Sequence, residues 1–269
     1  MIINGLEENL ISATDRGLLY GDGVFRTMMV RQGQLLHWQR HYDKLHHDCG
    51  ALDIECPTMQ TLTAELKQLT QIQADGVAKI IITRGTGARG YAPSSHPLAT
   101  RIVNISPTPI YPDSFAGSGV NMHICRLRLC HQPRLAGIKH LNRLENVLAA
   151  AEWNNADIAE GVLMDGTGHI IECTRSNLFV VKNGVLFTPD LSRCGVAGLQ
   201  RERVMEWAKQ RRVDCEITDL LMADLLAADE VFVVNSVIGL WPVREMPGFR
   251  RESFPISLLI QDWLNHGPD

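Results

Sequence analysis

The sequence has no excess of basic residues and no long hydrophobic run, and each absence excludes a class of protein. The 30 acidic residues outnumber the 26 basic ones, which gives a formal net charge of -4. The chain therefore has no overall positive field to hold a nucleic-acid backbone. No run approaches the roughly 18 apolar residues that cross a bilayer. We therefore expect neither a nucleic-acid partner nor a membrane partner.

Closely spaced cysteine pairs are also absent. The 7 cysteines are odd in number, and none forms a C-x-x-C pair. They are Cys49, Cys56, Cys125, Cys130, Cys173, Cys194 and Cys215. We expect them to be reduced packing residues. The stretch from Met1 to Leu10 has neither the basic leader nor the apolar core of a signal peptide. Together these features predict a cytoplasmic protein.

Four histidines cluster early in the chain, at His37, His41, His46 and His47. The first two have the i, i+4 spacing that a metal site can use. However, the same segment has an apolar stripe at helical spacing, which leaves the histidines on its polar flanks, and no H-E-x-x-H motif is present. The stripe consists of Trp38, Tyr42, Leu45, Cys49 and Leu52. We predict no metal.

The 269 residues, 45% of them hydrophobic, are enough for one large or two small globular domains. In the first part, short strands near 1–4 and 24–30 precede a helix near 38–52 and a second helix carrying Met59, Leu62, Leu66 and Leu69. Two runs rich in β-branched residues, 79–83 and 101–106, bracket a glycine-rich loop. This order predicts an N-terminal α/β domain, residues 1–112, built as a sheet covered by two helices.

A stretch rich in proline and glycine follows, between Pro107 and Gly119, and we interpret residues 113–119 as an interdomain linker. Beyond it, two turns lie between apolar runs, one at residues 165–168 and one at Asn183 and Gly184. Residues 120–269 are therefore predicted to form a second domain, a β-barrel-like sheet with peripheral helices. The expected fold class is mixed α/β (α+β).

One lysine and one glutamate suggest a cofactor. Lys139 precedes a segment in which Leu141, Leu144, Leu148 and Ala151 recur at helical spacing, so we expect a helix with a buried apolar face and the lysine at its start. Glu172 lies in a strand-like run. Pyridoxal phosphate needs an amine to form an imine and a carboxylate beside its ring nitrogen. Lys139 and Glu172 could supply them, although most such residues are simply solvated.

Two segments could hold a phosphate group. Gly198 and Leu199 lead into a predicted helix, whose first N–H groups and dipole favour an anion. Ser236 and Val237 follow the apolar strand 231–234, where a hydroxyl and a backbone amide could donate. Each signal is weak alone, because a glycine before a helix is often a plain turn, and the two gain weight together.

These residues belong to a longer pattern that resembles the fold-type IV pyridoxal phosphate enzymes, also called class IV aminotransferases. That family includes branched-chain and D-amino acid aminotransferases and aminodeoxychorismate lyases. The resemblance covers nearly the whole chain. It rests on Y-G-D-G-V-F at 20–25, R-G-T-G-A-R-G-Y at 84–91, A-G-I-K-H-L-N-R-L-E at 136–145, G-H-I-I-E-C-T-R-S-N-L-F at 168–179, L-F-T-P at 186–189 and A-D-E-V-F at 228–232.

The resemblance implies a role for each matching position. Lys139 would attach the cofactor, Glu172 would pair with its ring nitrogen, and the two glycine- and serine-containing segments would hold its phosphate. The family commonly has a phosphate-binding arginine in an H-x-x-R-L motif, but here Lys44 takes that place. Lysine keeps the charge without the planar fork of arginine. Either Lys44 binds the phosphate alone, or Arg40 compensates.

Within the family, K-H-L-N-R-L-E after the lysine and Gly90-Tyr91 after Arg89 resemble the lyase branch most. That branch converts 4-amino-4-deoxychorismate to 4-aminobenzoate and pyruvate in folate biosynthesis. The substrate has two carboxylates, which call for cationic or hydroxyl donors. The candidates are Arg89, Arg84, Arg26 and Tyr91.

Two other functions stay open. A branched-chain or D-amino acid aminotransferase would use the same lysine, glutamate and phosphate residues, because function is set by the site and not by the fold. A non-catalytic binding protein of the same fold would be expected to lack Lys139 or Glu172, and both are present. The resemblance also implies a homodimer and a functional link to the synthase that makes the unstable substrate.

Overall fold

A computed structural model describes residues 1–94 and 97–267 and divides the chain into two compact units. The first unit comprises Met1–Ile110 and Ile138–Asn142, and the second comprises Tyr111–Gly137 and Arg143–Asp269. Within the described residues, no helix is both long enough and apolar enough to cross a membrane.

The first unit is a six-stranded sheet with two long helices. Its elements are β1 (Ile2–Ile3), β2 (Leu6–Glu7), α1 (Arg16–Tyr20), β3 (Gly23–Arg31), β4 (Gln34–Leu35), α2 (Trp38–Ala51), α3 (Met59–Ile72), β5 (Gly76–Thr83) and β6 (Thr100–Ser106). The strands pair antiparallel in the order β2-β1-β6-β5-β3-β4. The predicted sheet covered by two helices is confirmed.

The core of this unit lies between the sheet and the two long helices. Leu45 on α2 and Leu62 and Leu66 on α3 are fully buried against strand residues such as Ile80 and Ile82. Burial of each such side chain contributes about 1.5–3 kcal/mol. α3 begins at a capped end, because the Thr58 hydroxyl accepts the Thr61 N–H at 3.2 Å.

The buried face of α2 differs from the predicted stripe. The residues it buries are His41, Leu45, Asp48 and Cys49, whereas Trp38 and Tyr42 are only partly buried. The predicted position of His41 on a polar flank is therefore wrong. Hydrophobicity alone could not reveal this face, because two of its four residues, His41 and Asp48, are polar.

The second unit contains a nine-stranded sheet with peripheral helices. Its elements are α4 (Ser114–Gly117), β7 (Val120–Leu129), α5 (Leu144–Ala150), β8 (Ile158–Asp165), β9 (Ile170–Cys173), β10 (Asn177–Lys182), β11 (Val185–Pro189), α6 (Leu199–Arg211), β12 (Cys215–Thr218), α7 (Met222–Leu226), β13 (Glu230–Asn235), β14 (Gly239–Met246), β15 (Phe249–Arg250) and α8 (Pro255–His266). The strand order is β12-β11-β10-β13-β14-β7-β8-β9, with β15 paired to β14. Parallel and antiparallel pairs are mixed.

Both faces of this sheet are covered. On β10, Leu178 and Val180 belong to one apolar cluster, while Phe179 and Val181 belong to another that includes residues of α6 and α8. Successive strand residues point to opposite faces, so this alternation requires packing on both sides. The Phe179 ring stacks on Phe232 of β13 with 5.1 Å between centroids.

The structure of this unit differs from two expectations drawn from the sequence. Residues 113–119, expected to be a linker, include α4 and lie in the second unit, where Phe115 packs against Trp241 and the Ala116 carbonyl accepts a hydrogen bond from Gln261. The helix after the lysine, α5, does not bury the predicted apolar face, since Leu144 is 68% and Leu148 54% exposed. The division into domains 1–112 and 120–269 stays a prediction.

Candidate active site

Lys139 lies in an extended segment of the first unit and not at the start of a helix. Its backbone N–H donates to Asp48 Oδ2 at 3.1 Å, and its carbonyl oxygen accepts the Phe25 N–H at 3.0 Å. Its Nζ lies 4.5 Å from the centroid of the Phe25 ring. The neighbouring Leu141 N–H donates to the Gly23 carbonyl at 2.9 Å, so the segment extends the edge of β3. Both backbone polar groups of Lys139 are thus fixed.

The carboxylate that holds Lys139 also forms a buried ion pair. Asp48 on α2 contacts the Arg26 guanidinium of β3, and the two residues are only 2% and 3% exposed. Arg26 Nη2 also donates to the Lys44 carbonyl oxygen at 3.3 Å. Removing one member of such a pair leaves a buried charge uncompensated. Through Asp48, Arg26 supports the lysine segment.

The pKa of His41 reflects the positive charges in this part of the first unit. Burial, together with the positive charges of Arg26, His37, Lys44 and Lys139, lowers the pKa of His41 to about 3. Its Nδ1 is buried and has no hydrogen-bond partner among the described residues. A concentration of cations around a neutral ring is suited to an anionic group such as a phosphate. Lys44, at the position of the family's arginine, is one of these cations.

Two arginines organise the loop that carries Arg89 and Tyr91. Arg16, only 4% exposed, donates to the carbonyl oxygens of Gly90 and Tyr91 at 3.0 and 2.6 Å. Arg16 Nε and Arg84 Nε both donate to Asp22 Oδ2 at 2.8 Å. Burial alone would raise the pKa of Asp22, but these hydrogen bonds and charges lower it below its ordinary value. Asp22 therefore fixes the start of this loop at Arg84, and Arg16 fixes its backbone at Gly90 and Tyr91.

Arg84 is occupied by structural contacts. Besides Asp22, its guanidinium donates to the carbonyl oxygens of Asp53 at 2.9 Å and Leu52 at 2.7 Å. All three of its nitrogen atoms thus hold backbone or carboxylate groups of the first unit. Arg89 and Tyr91 are exposed, and Tyr91 is 85% exposed. These two remain accessible to a substrate.

In the second unit, Glu172 lies buried on β9. Its Oε2 accepts the Val196 N–H at 2.8 Å, and the side chain is 4% exposed. The backbone of Gly195, with φ +87°, lies against β9. A Cβ added to it would lie 3.3 Å from Glu172 Oε2 and 2.7 Å from the Ile171 side chain. A glycine is required here by both the conformation and the space. The loop thereby fixes a buried carboxylate in place.

Asn177 continues this arrangement and was not identified from the sequence. Its Oδ1 accepts the Gly198 N–H at 3.0 Å, and its Nδ2 donates to the Val196 carbonyl at 2.8 Å. Gly137 pairs with the same loop, donating to the Gly195 carbonyl at 2.9 Å. Residues 195–198 are thus held immediately before α6. A signal for Asn177 exists only in the family-like T-R-S-N-L-F motif.

The expected phosphate site lies at the start of α6, at Leu199. The first N–H groups of a helix have no carbonyl partner within the helix, and its dipole favours an anion there. Gly198 differs from the expectation, since its own N–H is bound to Asn177, and an added Cβ would lie 2.3 Å from Asn177 Oδ1. Gly198 therefore offers no free N–H to an anion, and what distinguishes it is the space left by its missing side chain.

Ser236 and Val237 lie in the turn between β13 and β14, both partly buried. The Val237 N–H donates to Asn235 Oδ1 at 2.8 Å, so the backbone donor expected for a phosphate is used within the turn. Asn235 Nδ2 donates to the Arg175 carbonyl at 3.1 Å, which connects this turn to the segment just after β9. The role of the Ser236 hydroxyl as a phosphate donor stays a prediction.

The site residues fall into two sets, one in each unit. Lys139, Lys44 and Arg26 are brought together around Asp48 and His41 in the first unit. In the second unit, Glu172 is connected through the 195–198 loop to Gly198 and Leu199. Asp48, Asn177 and Arg16 were not identified from the sequence, because most of their partners lie far away along the chain.

Comparison with known proteins identifies the class. The Amino-transferase class IV family matches residues 23–246, so the chain belongs to this family. It is 38% identical over 262 residues to an aminodeoxychorismate lyase of Vibrio harveyi, covering 96% of each chain. The crystal structure of 4-amino-4-deoxychorismate lyase from Pseudomonas aeruginosa has the same fold, with 44% identity, a TM-score of 0.95 and coverage of 100% and 99%. A putative branched-chain-amino-acid aminotransferase of Methanocaldococcus jannaschii is 30% identical over 88% of this chain and 83% of its own.

Enzymes of this family depend on pyridoxal 5′-phosphate. The described residues fit that group: one fixed lysine, a buried carboxylate, the start of a long helix and a cluster of cations around the uncharged His41. The fold shared with the lyase from Pseudomonas aeruginosa confirms the expected fold class.

Proposed function

We propose that the chain is an aminodeoxychorismate lyase, which converts 4-amino-4-deoxychorismate to 4-aminobenzoate and pyruvate in folate biosynthesis. The observation that carries this proposal is the full-length similarity to two lyases at 38% and 44% identity, combined with a lysine whose backbone is fixed by Asp48 and Phe25.

The cofactor, when bound, supplies an electron sink for the bond that breaks at the amine-bearing carbon. Lys139 is the residue we assign to its covalent attachment. Its Nζ then serves as the base that takes the proton from the amine-bearing ring carbon of the substrate. Because both backbone groups of Lys139 are hydrogen bonded, only the side chain has to move between these two tasks.

Glu172 is assigned to the cofactor's ring nitrogen. The Val196 N–H stabilises its carboxylate, and its burial makes the charge act in a region of low dielectric constant. For the phosphate we propose Leu199 and Ser236, with Gly198 providing space, Val237 shaping its turn and Lys44 providing charge. The cation cluster around His41 supports Lys44 over Arg40.

Substrate recognition is proposed for Arg89 and Tyr91. Both are exposed, and Arg16 holds the backbone of this loop through the Gly90 and Tyr91 carbonyl groups. A guanidinium and a phenol are suited to the two carboxylates of the substrate. We assign Arg84 and Arg26 to structural support instead.

The test supplies aminodeoxychorismate to purified protein and detects 4-aminobenzoate and pyruvate by chromatography. Lys139→Ala should abolish both products. Lys79→Ala is a matched control, because Lys79 Nζ lies over the same Phe25 ring at 5.1 Å but on the exposed side of β5, and it should stay active. Absence of both products from wild-type protein carrying the cofactor would overturn the proposal.

An aminotransferase is the second candidate, because the chain is also 30% identical, over 88% of its length, to a putative branched-chain-amino-acid aminotransferase. It predicts transfer of an amino group from a branched-chain or D-amino acid to 2-oxoglutarate, with no 4-aminobenzoate formed. Assaying both reactions with one preparation separates the two functions.

We also propose that the protein is a homodimer. Leu144, Val147 and Leu148 lie on one face of α5 and are 68%, 61% and 54% exposed, which leaves an apolar patch for a second copy. Leu148→Asp should shift the sedimentation coefficient towards that of a monomer. The control Ile110→Asp, at a residue 98% exposed outside this patch, should leave it unchanged.

We further propose a cytoplasmic location and a functional link to the synthase that makes the unstable substrate. All the cysteines are free thiols, as expected in a reducing compartment. Cell fractionation tests the location. Coupled assays with and without an excess of the synthase test the link. Direct delivery would raise the amount of 4-aminobenzoate formed for each molecule of aminodeoxychorismate that the synthase makes.

A further inference from the structure

Two cysteine thiols meet at the end of α2, in a part of the first unit that the proposed reaction does not use. Cys49 lies in the last turn of α2 and is 0% exposed, whereas Cys56 lies in the loop before α3 and is partly exposed. Cys49 belongs to the buried apolar cluster of the first unit, and Cys56 packs against that cluster. One sulfur can therefore be reached by a small oxidant, with a second sulfur beside it.

The backbone explains why the two thiols meet. The Ile54 N–H donates to the Cys49 carbonyl oxygen at 2.9 Å, and the Tyr42 hydroxyl donates to the Pro57 carbonyl oxygen at 3.1 Å. Tyr42 and Cys49 are seven residues apart and so lie on the same face of α2, two turns from each other. Residues 54–57 therefore run back along the helix, and Cys56 lies between two anchored positions.

The turn that reverses the chain is fixed as well. Arg84 donates to the carbonyl oxygens of Leu52 and Asp53 at 2.7 and 2.9 Å, and the Asp53 N–H donates to the Gly50 carbonyl at 3.1 Å. With these bonds in place, the proximity of Cys49 and Cys56 is a property of the fold.

The surroundings of the two sulfurs also give them different roles. The neighbouring Cys49 and Tyr42 side chains lower the pKa of Cys56 in spite of partial burial, so Cys56 is the better nucleophile. Burial raises the pKa of Cys125 and of Cys194 to about 12, which makes those thiols inert by comparison.

We propose that Cys49 and Cys56 are an oxidative modification site, which forms a reversible intramolecular disulfide with hydrogen peroxide. The Cys56 thiolate attacks one peroxide oxygen, the O–O bond breaks, and the departing hydroxide takes a proton to become water. This leaves a sulfenic acid on Cys56. The Cys49 sulfur then attacks the Cys56 sulfur, the S–O bond breaks, and the hydroxide released takes the Cys49 proton. Two thiols and one peroxide thus give one disulfide and two waters.

One residue connects the thiol pair to the proposed catalytic lysine. Cys49 directly follows Asp48, whose carboxylate accepts the Lys139 N–H. The disulfide therefore places a covalent constraint on the turn of α2 that supports Lys139. The chemistry of the thiol pair does not depend on which reaction the enzyme catalyses.

The sequence permits a direct test. Cleavage after Lys44 and Lys67 gives one tryptic peptide, residues 45–67, that contains Cys49, Cys56 and no other cysteine. The full-length protein carrying its cofactor is treated with hydrogen peroxide, alkylated, digested without reduction and analysed by mass spectrometry. We expect this peptide to lose the mass of two hydrogen atoms and to accept no alkyl group. Dithiothreitol before alkylation should restore two alkylated cysteines.

Variants assign the two roles. Cys49→Ser should stop at a sulfenic acid on Cys56 that dimedone traps, and Cys56→Ser should leave Cys49 reduced. Cys130→Ser is the matched control, because Cys130 is an exposed thiol outside the pair, and its peptide 45–67 should oxidise as in wild type. Two alkylated cysteines in wild-type peptide 45–67, at a peroxide dose that already oxidises Cys130, would overturn the proposal. A persistent Cys56 sulfenic or sulfinic acid without a disulfide would do the same. The wild-type result decides the matter even where a variant fails to fold.

Discussion

The Asp48 carboxylate accepts the backbone N–H of Lys139 at 3.1 Å, across 91 residues of sequence. The same oxygen forms the ion pair with Arg26, and both charged residues are almost fully buried. Asp48 is therefore a positioning residue, which connects α2, β3 and the lysine segment through one side chain.

Replacing one member of this ion pair should destabilise the first unit strongly. We expect Asp48→Leu to lower the free energy of unfolding by about 3–5 kcal/mol, because the Arg26 charge stays buried without its partner. Urea denaturation measures the change. The control Asp43→Leu, at an exposed position of the same helix, should cost far less. Adding Arg26→Met to Asp48→Leu should recover part of the loss, and a double variant that is less stable than Asp48→Leu would contradict this explanation.

Loss of the Glu172 carboxylate should affect turnover more than attachment of the cofactor. We expect Glu172→Ala to lower kcat by about two orders of magnitude, the size typical of losing one preorganised electrostatic contact. The absorption spectrum should still show cofactor attached through Lys139. Glu216→Ala, at an exposed strand position of the same unit, is the control. Wild-type turnover in Glu172→Ala would remove this residue from the mechanism.

The space at Gly198 makes a separate prediction about the phosphate. A Cβ at this position would lie 2.3 Å from Asn177 Oδ1, so Gly198→Ala must displace Asn177 or the start of α6. We expect weaker binding of pyridoxal phosphate to the apoenzyme, measured by absorbance titration. Gly166→Ala, where nothing lies within 4 Å of the added Cβ, should bind normally. An unchanged dissociation constant for Gly198→Ala would show that this geometry does not matter to binding.

Two arginines of the glycine-rich loop should respond differently to substitution. Arg89→Ala should raise KM by about 10-fold or more with little change in stability, the size expected for one charge-assisted hydrogen bond. Arg84→Ala should instead lower the unfolding midpoint, because it removes three hydrogen bonds to Asp22, Leu52 and Asp53. A change of KM in Arg84→Ala at full stability would reverse our assignment of the two residues.

Asp22 should make stability depend on acidity. Its pKa is lower in the folded chain than its ordinary value of 3.8, so its contribution is fully present above that value and is lost as the pH falls through the folded pKa. Urea midpoints between pH 7 and pH 3 should therefore converge for wild type and Asp22→Asn. Midpoints that differ by the same amount at both ends would exclude Asp22 as a source of the pH dependence.

Local sequence patterns predicted most of the secondary structure but not the surroundings of the lysine. The strands, the two helices of the first unit and the turn at Asn183 and Gly184 follow from residue periodicity and turn chemistry, which act over a few residues. In contrast, the segment at Lys139 was expected to begin a helix, because Leu141, Leu144 and Leu148 recur at helical spacing. Hydrogen bonds to Gly23 and Phe25 hold it extended instead.

The same limit explains the site residues that the sequence left unidentified. Lys139 and Glu172 stood out through the motif around each of them. Asp48 lies between His47 and Cys49 in a helix without any motif of its own, and its two partners are 22 and 91 residues away. A buried polar residue of this kind is recognised only by its partners, which a single sequence does not reveal.

The contribution of residues Ile138–Asn142 to the first unit affects how the chain can be divided. A fragment ending at residue 112 would lack the Lys139 carbonyl that accepts the Phe25 N–H, and the Ile138 side chain would be missing from the core. Such a fragment should not fold stably on its own. A peptide spanning residues 138–142, added in trans, is the piece that would complete its edge, as in a split protein restored by complementation.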